Sequence, residues 1–209
     1  MTHGSAAVRV VAALAFATAC ATAAVAAAAP DKVHKPLVRA AGGIVLVNAD
    51  FESARPGLYG NPEGWQSIQH AGDPSYTFKL DRDVRHSGAA SLCIANVGPE
   101  PFGATYQRVD ARPYRGQRLR WSAWLRTEDA RGSVTGGGAV LLIQAMQSGA
   151  PLAWNHMTDA PVRGTTPWQQ LSIELDVPAA AEEIEVGAML HGPGRLWLDD
   201  VVLEALPRT

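Results

Sequence analysis

The side chains of this chain that could do chemistry are carboxylates near the two ends of its folded region, tryptophans set among arginines, and scattered histidines. Glu52 closes the stretch Asn48-Ala49-Asp50-Phe51-Glu52, which follows the apolar run Ile44-Val45-Leu46-Val47. Asp199 sits in Trp197-Leu198-Asp199-Asp200-Val201-Val202-Leu203, where a period of two puts it on one face with Trp197, Val201 and Leu203. A lone carboxylate on an apolar strand face needs a partner, because burying it unpaired costs on the order of a small domain's whole stability. First and last strands of an antiparallel sandwich are often neighbours, which brings Glu52 within reach. Two carboxylates together could hold a hard cation such as calcium, whose ligands are carboxylate and carbonyl oxygens. Solvation, or pairing with some of the chain's many arginines, is the other account of both residues.

A second group of residues suits binding. In 119–126, Leu119, Trp121, Ala123 and Leu125 make a core-facing side, and Arg120, Ser122, Trp124 and Arg126 make the other. A large aromatic between two guanidiniums offers a stacking platform with planar donors, a combination that fits the C–H surface and the hydroxyls of a sugar. The arginines could equally stack over Trp124 as cation–π cover. Gln144 is the lone polar residue of Leu141-Leu142-Ile143-Gln144-Ala145-Met146. If its strand lies beside that of Trp124, its amide reaches the same groove; otherwise it satisfies a backbone group. Trp154-Asn155-His156 places an aromatic beside two polar groups near a strand or loop end, a second place for sugar capture. Trp65, Trp168 and Trp197 are expected to pack.

Arrangements for catalysis are missing from the sequence. There is no Gly-x-Ser-x-Gly elbow, no His-Glu-x-x-His and no Cys-x-x-Cys, and Gly136-Gly137-Gly138 lacks the Lys and Ser/Thr of a phosphate loop. Glu174 and Asp176 share a strand face, as do Glu183 and Glu185, but solvation on edge strands accounts for both pairs. The expectation is therefore a protein that binds and does not catalyse. Cys93 is the one cysteine beyond residue 29, so no internal disulfide forms there, and in Ser91-Leu92-Cys93-Ile94 it reads as a buried, inert thiol. A net charge of −2 without basic runs makes nucleic acid or an anionic membrane an unsuitable partner.

The elements that must position these residues follow from turn punctuation. Residues 1–29 have the form of a signal peptide: one Arg, an apolar run too short to span a bilayer, then an Ala-rich tract. Export, periplasmic or secreted, is the expectation; Cys20 after Ala17-Thr18-Ala19 offers lipoprotein processing as the lesser option, since the large aliphatic residue usual three positions earlier is missing. Residues 30–43 read as a linker, and 44–206 as one domain. Within it, strands are expected at 75–80, 90–95, 104–109, 117–127, 139–147, 152–157, 168–177, 183–190 and 194–204. The run 139–147 is almost wholly apolar, as a strand buried on both faces is. Short strands with Gly/Pro turns and no amphipathic helix specify an all-β sandwich of two antiparallel sheets.

Asn48-Ala49-Asp50-Phe51-Glu52, Gly64-Trp65, His86-Ser87-Gly88-Ala89-Ala90-Ser91-Leu92, Ser122-Ala123-Trp124-Leu125-Arg126-Thr127, Val177-Pro178 and Trp197-Leu198-Asp199-Asp200-Val201 occur in the order seen in carbohydrate-binding jelly-roll modules. The chain resembles those modules of the galactose-binding-like superfamily over nearly all of 44–206. A narrower likeness, to bacterial exported or fused modules of poorly defined function, is carried by 114–120, 157–168 and 192–199. The resemblance implies a jelly roll and a structural calcium held by Glu52, Asp199 and carbonyls around 85–87. It also implies a polysaccharide or envelope glycan as partner, met by Trp124, Arg120, Arg126, Gln144, Trp154, Asn155 and His156. The alternative is a protein-interaction or structural module of the cell envelope with no sugar site.

Overall fold

The computed structural model describes residues 43–132 and 137–207. The expected leader with Cys20, the linker except Gly43, and Gly136 lie outside them. Among the described residues the chain forms eleven strands and two single-turn 3-10 segments, arranged as a jelly-roll sandwich of two antiparallel sheets. The strands are β1 (Gly43–Ile44), β2 (Gln66–Gln69), β3 (Tyr76–Asp81), β4 (Ser91–Asn96), β5 (Phe102–Asp110) and β6 (Arg118–Ala130), followed by β7 (Ala139–Gln147), β8 (Ala150–Asn155), β9 (Gly164–Asp176), β10 (Glu183–His191) and β11 (Arg195–Ala205).

One sheet runs β3-β4-β11-β6-β9, with β1 added to β11; the other runs β2-β5-β10-β7-β8. First and last strands do meet: Ile44 pairs with Leu203 and Gly43 with Glu204, on the length of β11 that β4 leaves open. The core is what the alternation dictates. Leu119, Trp121, Ala123 and Leu125 of β6 face Ile184, Val186, Ala188 and Leu190 of β10 and Leu141 and Ile143 of β7, all buried. The Trp121 Nε1–H donates to the Gly187 carbonyl at 3.0 Å, so the ring that fills the core also ties one sheet to the other. Trp65 packs on Phe51 at 5.0 Å between ring centroids and is buried, as expected.

Three local readings need correction. The four-residue strand β2 has no alternating apolar pattern, so periodicity could not find it; it exists because β5 offers it an edge. The run 44–47 continues the sheet for one residue only, and Val45 and Val47 are exposed. Most consequential is β11. A bulge between Asp199 and Val202, with Asp200 at φ 47°, shifts the alternation by one. Leu196 and Leu198 before it and Val201 and Leu203 after it all enter the core. Trp197 and Asp199 therefore point out of the sandwich, not inward with Val201 and Leu203. Trp197 is still buried, under the Arg126 guanidinium and with Nε1–H donated to Asp81 at 2.9 Å. Cys93, its partner in register, is buried beside it, and burial pushes the thiol up to about 11, which keeps it protonated and inert.

Candidate functional site

Trp124, Arg120 and Arg126 project from β6 on the side away from the core, and partners partly cover that face. Arg120 donates to Glu174 Oε1 at 2.8 and 3.1 Å and lies 3.5 Å from Glu204. The His86 imidazole stacks on Trp124 with centroids 3.9 Å apart and planes 14° from parallel, and Trp168 meets that imidazole edge-on at 5.7 Å. Arg126 lies over Trp197 at 5.7 Å, its Nε buried without a hydrogen-bond partner. The cover on Trp124 is thus a histidine rather than an arginine. The β7 strand carrying Gln144 belongs to the other sheet, so Gln144 does not share a groove with Trp124.

What seats His86 is the β11 bulge. Asp200 accepts from His86 Nδ1 at 2.7 Å and from Ser87 Oγ at 2.9 Å. Asp199 Oδ2 accepts the His86 and Ser87 backbone N–H groups at 2.9 and 3.2 Å, and Oδ1 accepts the Asp200 N–H at 2.8 Å. Glu52 takes the next part of the same turn, accepting Ala89 N–H at 2.8 Å and Ala90 N–H at 3.3 Å. Gly88 between them has φ 56°, and a Cβ there would lie 2.1 Å from Glu52 Oε1. Glu52 and Asp199 both meet the 86–90 turn, through its N–H groups rather than the carbonyls that the resemblance implies. Among the described residues, no three or more His, Cys, Asp or Glu side chains cluster to share a metal. Burial, with the Asp200 charge next to it, pushes the Asp199 carboxyl up to about 7 against the pull of its amide donors.

On the second sheet the outward residues form a different surface. Register places Arg108, Glu185, Gln144 and Trp154 in one row across β5, β10, β7 and β8. Arg108, Glu185 and Gln144 are joined side chain to side chain, and His156 extends the chain. Arg108 Nε donates to Glu185 Oε1 at 2.7 Å, Gln144 Nε2 donates to Glu185 Oε2, and His156 Nε2 meets Gln144 Oε1 at 3.2 Å. Glu185 is only 5% exposed although it points away from the core, and Val140 and Leu142 beside it are buried too, so this face is recessed. Its floor is bare at Gly187, which lies between Tyr106 and Leu142. Aromatic groups stand at its two sides: Tyr106 on β5, with the Arg108 guanidinium 5.3 Å from its ring centre, and Trp154 on β8, 61% exposed. Burial holds the His156 imidazole below the usual histidine range, and the neighbouring His191 adds to that while Glu185 opposes it.

Of the expected contact residues, Gln144, Trp154 and His156 come together here. Asn155 faces the other way, donating to the Glu174 carbonyl at 3.2 Å and tying β8 to β9 of the opposite sheet. Three members of this face were missed: Tyr106, Arg108 and Glu185. The edge-strand expectation for Glu183 and Glu185 fails because β10 is central: Arg108 of β5 pairs with both acids, and Gln144 of β7 bonds Glu185. A signal was present: two acids alternating on an otherwise apolar strand, with Tyr106-Gln107-Arg108 alternating on another. The pair on β9 fits the edge-strand reading, and there Asp176 and Glu174 pair with Arg118 and Arg120.

No family model matches the chain. It is 33% identical over 132 residues to an uncharacterized HTH-type transcriptional regulator of Bacillus subtilis, YbfP. That match covers 60% of this chain, which spans 42% of the regulator's length. A xylan-binding domain from CBM 22 aligns with TM-score 0.53 at 16% identity, over 81% of this chain and 98% of its own. A cyclase from Fischerella sp. TAU, in complex with 4-(1H-indol-3-yl)butan-2-one, aligns with TM-score 0.54 at 13% identity, over 81% of this chain and all of its own. At these identities both likenesses show the fold, an all-β sandwich shared with carbohydrate-binding modules.

Proposed function

We propose that the chain is an exported carbohydrate-binding module of the galactose-binding-like kind that takes a glycan on the outer face of the β2-β5-β10-β7-β8 sheet. The observation that carries this reading is the hydrogen-bonded chain Arg108, Glu185, Gln144 and His156, centred on the buried Glu185 and flanked by Tyr106 and the exposed Trp154. Planar groups already fixed by one another lose little entropy when they accept a ligand, and sugar hydroxyls need such donors and acceptors between aromatic surfaces. Both Glu185 oxygens are committed, one to Arg108 and one to Gln144, which suits positioning rather than proton transfer; a binding role is proposed on that basis.

The likeness to the Bacillus regulator is consistent with a binding role, because the described residues of this chain form strands and no α-helix. None of the described helices is long and apolar enough to cross a membrane. Periplasmic or secreted placement rests on the leader-like residues 1–29.

A calcium ion at Glu52 and Asp199 is a further part of the proposal, resting on family resemblance, and it would have to replace N–H donors now on both carboxylates. Melting with added calcium and with chelator tests it. For the glycan reading the test is calorimetric titration of the purified domain with xylan and related soluble glycans. Binding that disappears in Gln144→Ala supports the reading, and binding that persists there at full strength places the site elsewhere.

A further inference from the structure

The hydrogen-bonded row does not end at Arg108. Two residues further along β5 and β10, Asp110 stands opposite Glu183 on the same outward side, about 7 Å away along the strands. There the surface opens into a pocket of about 580 Å³, lined by Arg108, Asp110, Arg112, Arg115, Glu182 and Glu183. Its polar groups are set before anything binds. Arg112 holds Asp110 through both carboxylate oxygens at 2.7 to 3.0 Å, Arg115 is fixed by Nε donating to the Ala181 carbonyl at 2.6 Å, and Glu182 accepts the Ser148 N–H at 2.8 Å. Arg108 belongs to both places, bonding Glu185 at 2.7 Å on one side and lying 3.7 Å from Glu183 on the other.

We infer that this pocket is an additional subsite, and that the glycan runs obliquely from Trp154 and His156 over Gln144 and Glu185, past Arg108, and into it. The inference rests on the glycan reading proposed above and specifies its ligand: an uncharged oligosaccharide longer than the sheet face alone accommodates. Length follows from continuity through Arg108. Absence of charge follows from balance, since the three arginines of the pocket stand against three carboxylates and Glu185 adds a fourth beside Arg108. A polyanionic glycan would find no net positive field there.

The experiment has two stages. Native gels cast with soluble xylan, mixed-linkage β-glucan, galactomannan or polygalacturonate first identify which polymer retards the domain. Oligosaccharides of three and six units from that polymer are then titrated into wild type, Arg115→Ala, Arg112→Ala and Gln144→Ala. Wild type is expected to bind the six-unit ligand at least about tenfold more tightly than the three-unit one. Arg115→Ala and Arg112→Ala are expected to bring that ratio to about one while leaving the three-unit affinity unchanged, as loss of a separate contact does. Gln144→Ala is expected to lose both. Arg112 has a 73% exposed side chain, so its variant folds even if Arg115→Ala does not. A length preference that survives both arginine variants overturns the subsite, as does best binding to polygalacturonate. No retardation by any polymer, or binding indifferent to Gln144→Ala, overturns the glycan reading itself.

Discussion

Asp199→Asn is the perturbation that most sharply tests how the β11 bulge is held. The Asp199 side chain has no solvent exposure, and burial beside Asp200 pushes its carboxyl up to about 7 from an ordinary 3.8. A carboxyl whose folded value is raised binds more protons folded than unfolded between those two values. Its contribution therefore favours folding at acid pH and is lost as pH rises toward 7. From pH 5 to pH 7 the group passes from almost wholly protonated to half ionised in the folded protein, at up to about 1.4 kcal/mol per pH unit, so wild type should lose about 2 kcal/mol from this group alone. Asparagine cannot ionise and keeps an oxygen for the His86 and Ser87 amides, so the variant should lack that slope. His156 and His191 act in the opposite direction: burial lowers both, so their contribution weakens folding only as pH falls below about 6.5. They are common to both proteins and cancel in the difference. The assay is urea unfolding of wild type and variant at pH 5, 6, 7 and 8. The difference in stability should shift toward the variant by about 2 kcal/mol across pH 5 to 7 and flatten by pH 8. A difference that stays flat, or shifts the other way, refutes the claim that an ionising buried carboxyl carries the turn.

Other outcomes follow from single contacts. Gly187→Ala should destabilise by about 3 kcal/mol or more in denaturant unfolding, because its Cβ would lie 1.9 Å from the Thr105 carbonyl oxygen in the middle of a sheet. Trp124→Ala should cost about 2 kcal/mol through loss of the His86 stack, yet leave glycan retention unchanged, since that face is not the proposed site. If calcium binds at Glu52 and Asp199, the melting temperature should rise with added calcium, fall with chelator, and lose both responses in Glu52→Ala. A melt indifferent to calcium and chelator removes the ion from the proposal.

Much of the fold could be read from the sequence because alternation is a local property. The 119–125 pattern fixed which side of β6 faces the core, and the apolar run 139–147 marked a strand covered on both sides. The bulge in β11 is a different kind of feature. It costs one residue of register, and a strict period of two carried through it put Trp197 and Asp199 on the wrong side. The site was half legible for a related reason. Gln144 and Trp154 stood out as polar or aromatic residues in otherwise plain surroundings, whereas Arg108 and Glu185 are 77 positions apart and gain meaning only when β5 and β10 pair. Which sheet each strand joins is a matter of topology, and Trp124 and Gln144 were separated by topology alone.

The most direct test compares Trp154→Ala with Trp124→Ala in native gels cast with the retarding polysaccharide. Trp154 is an exposed ring at the edge of the recessed face, so its loss should remove retardation with the melting temperature little changed. Trp124→Ala should still be retarded like wild type. The reverse pattern, retardation lost with Trp124 and kept without Trp154, would contradict the assignment and move the glycan to the opposite sheet.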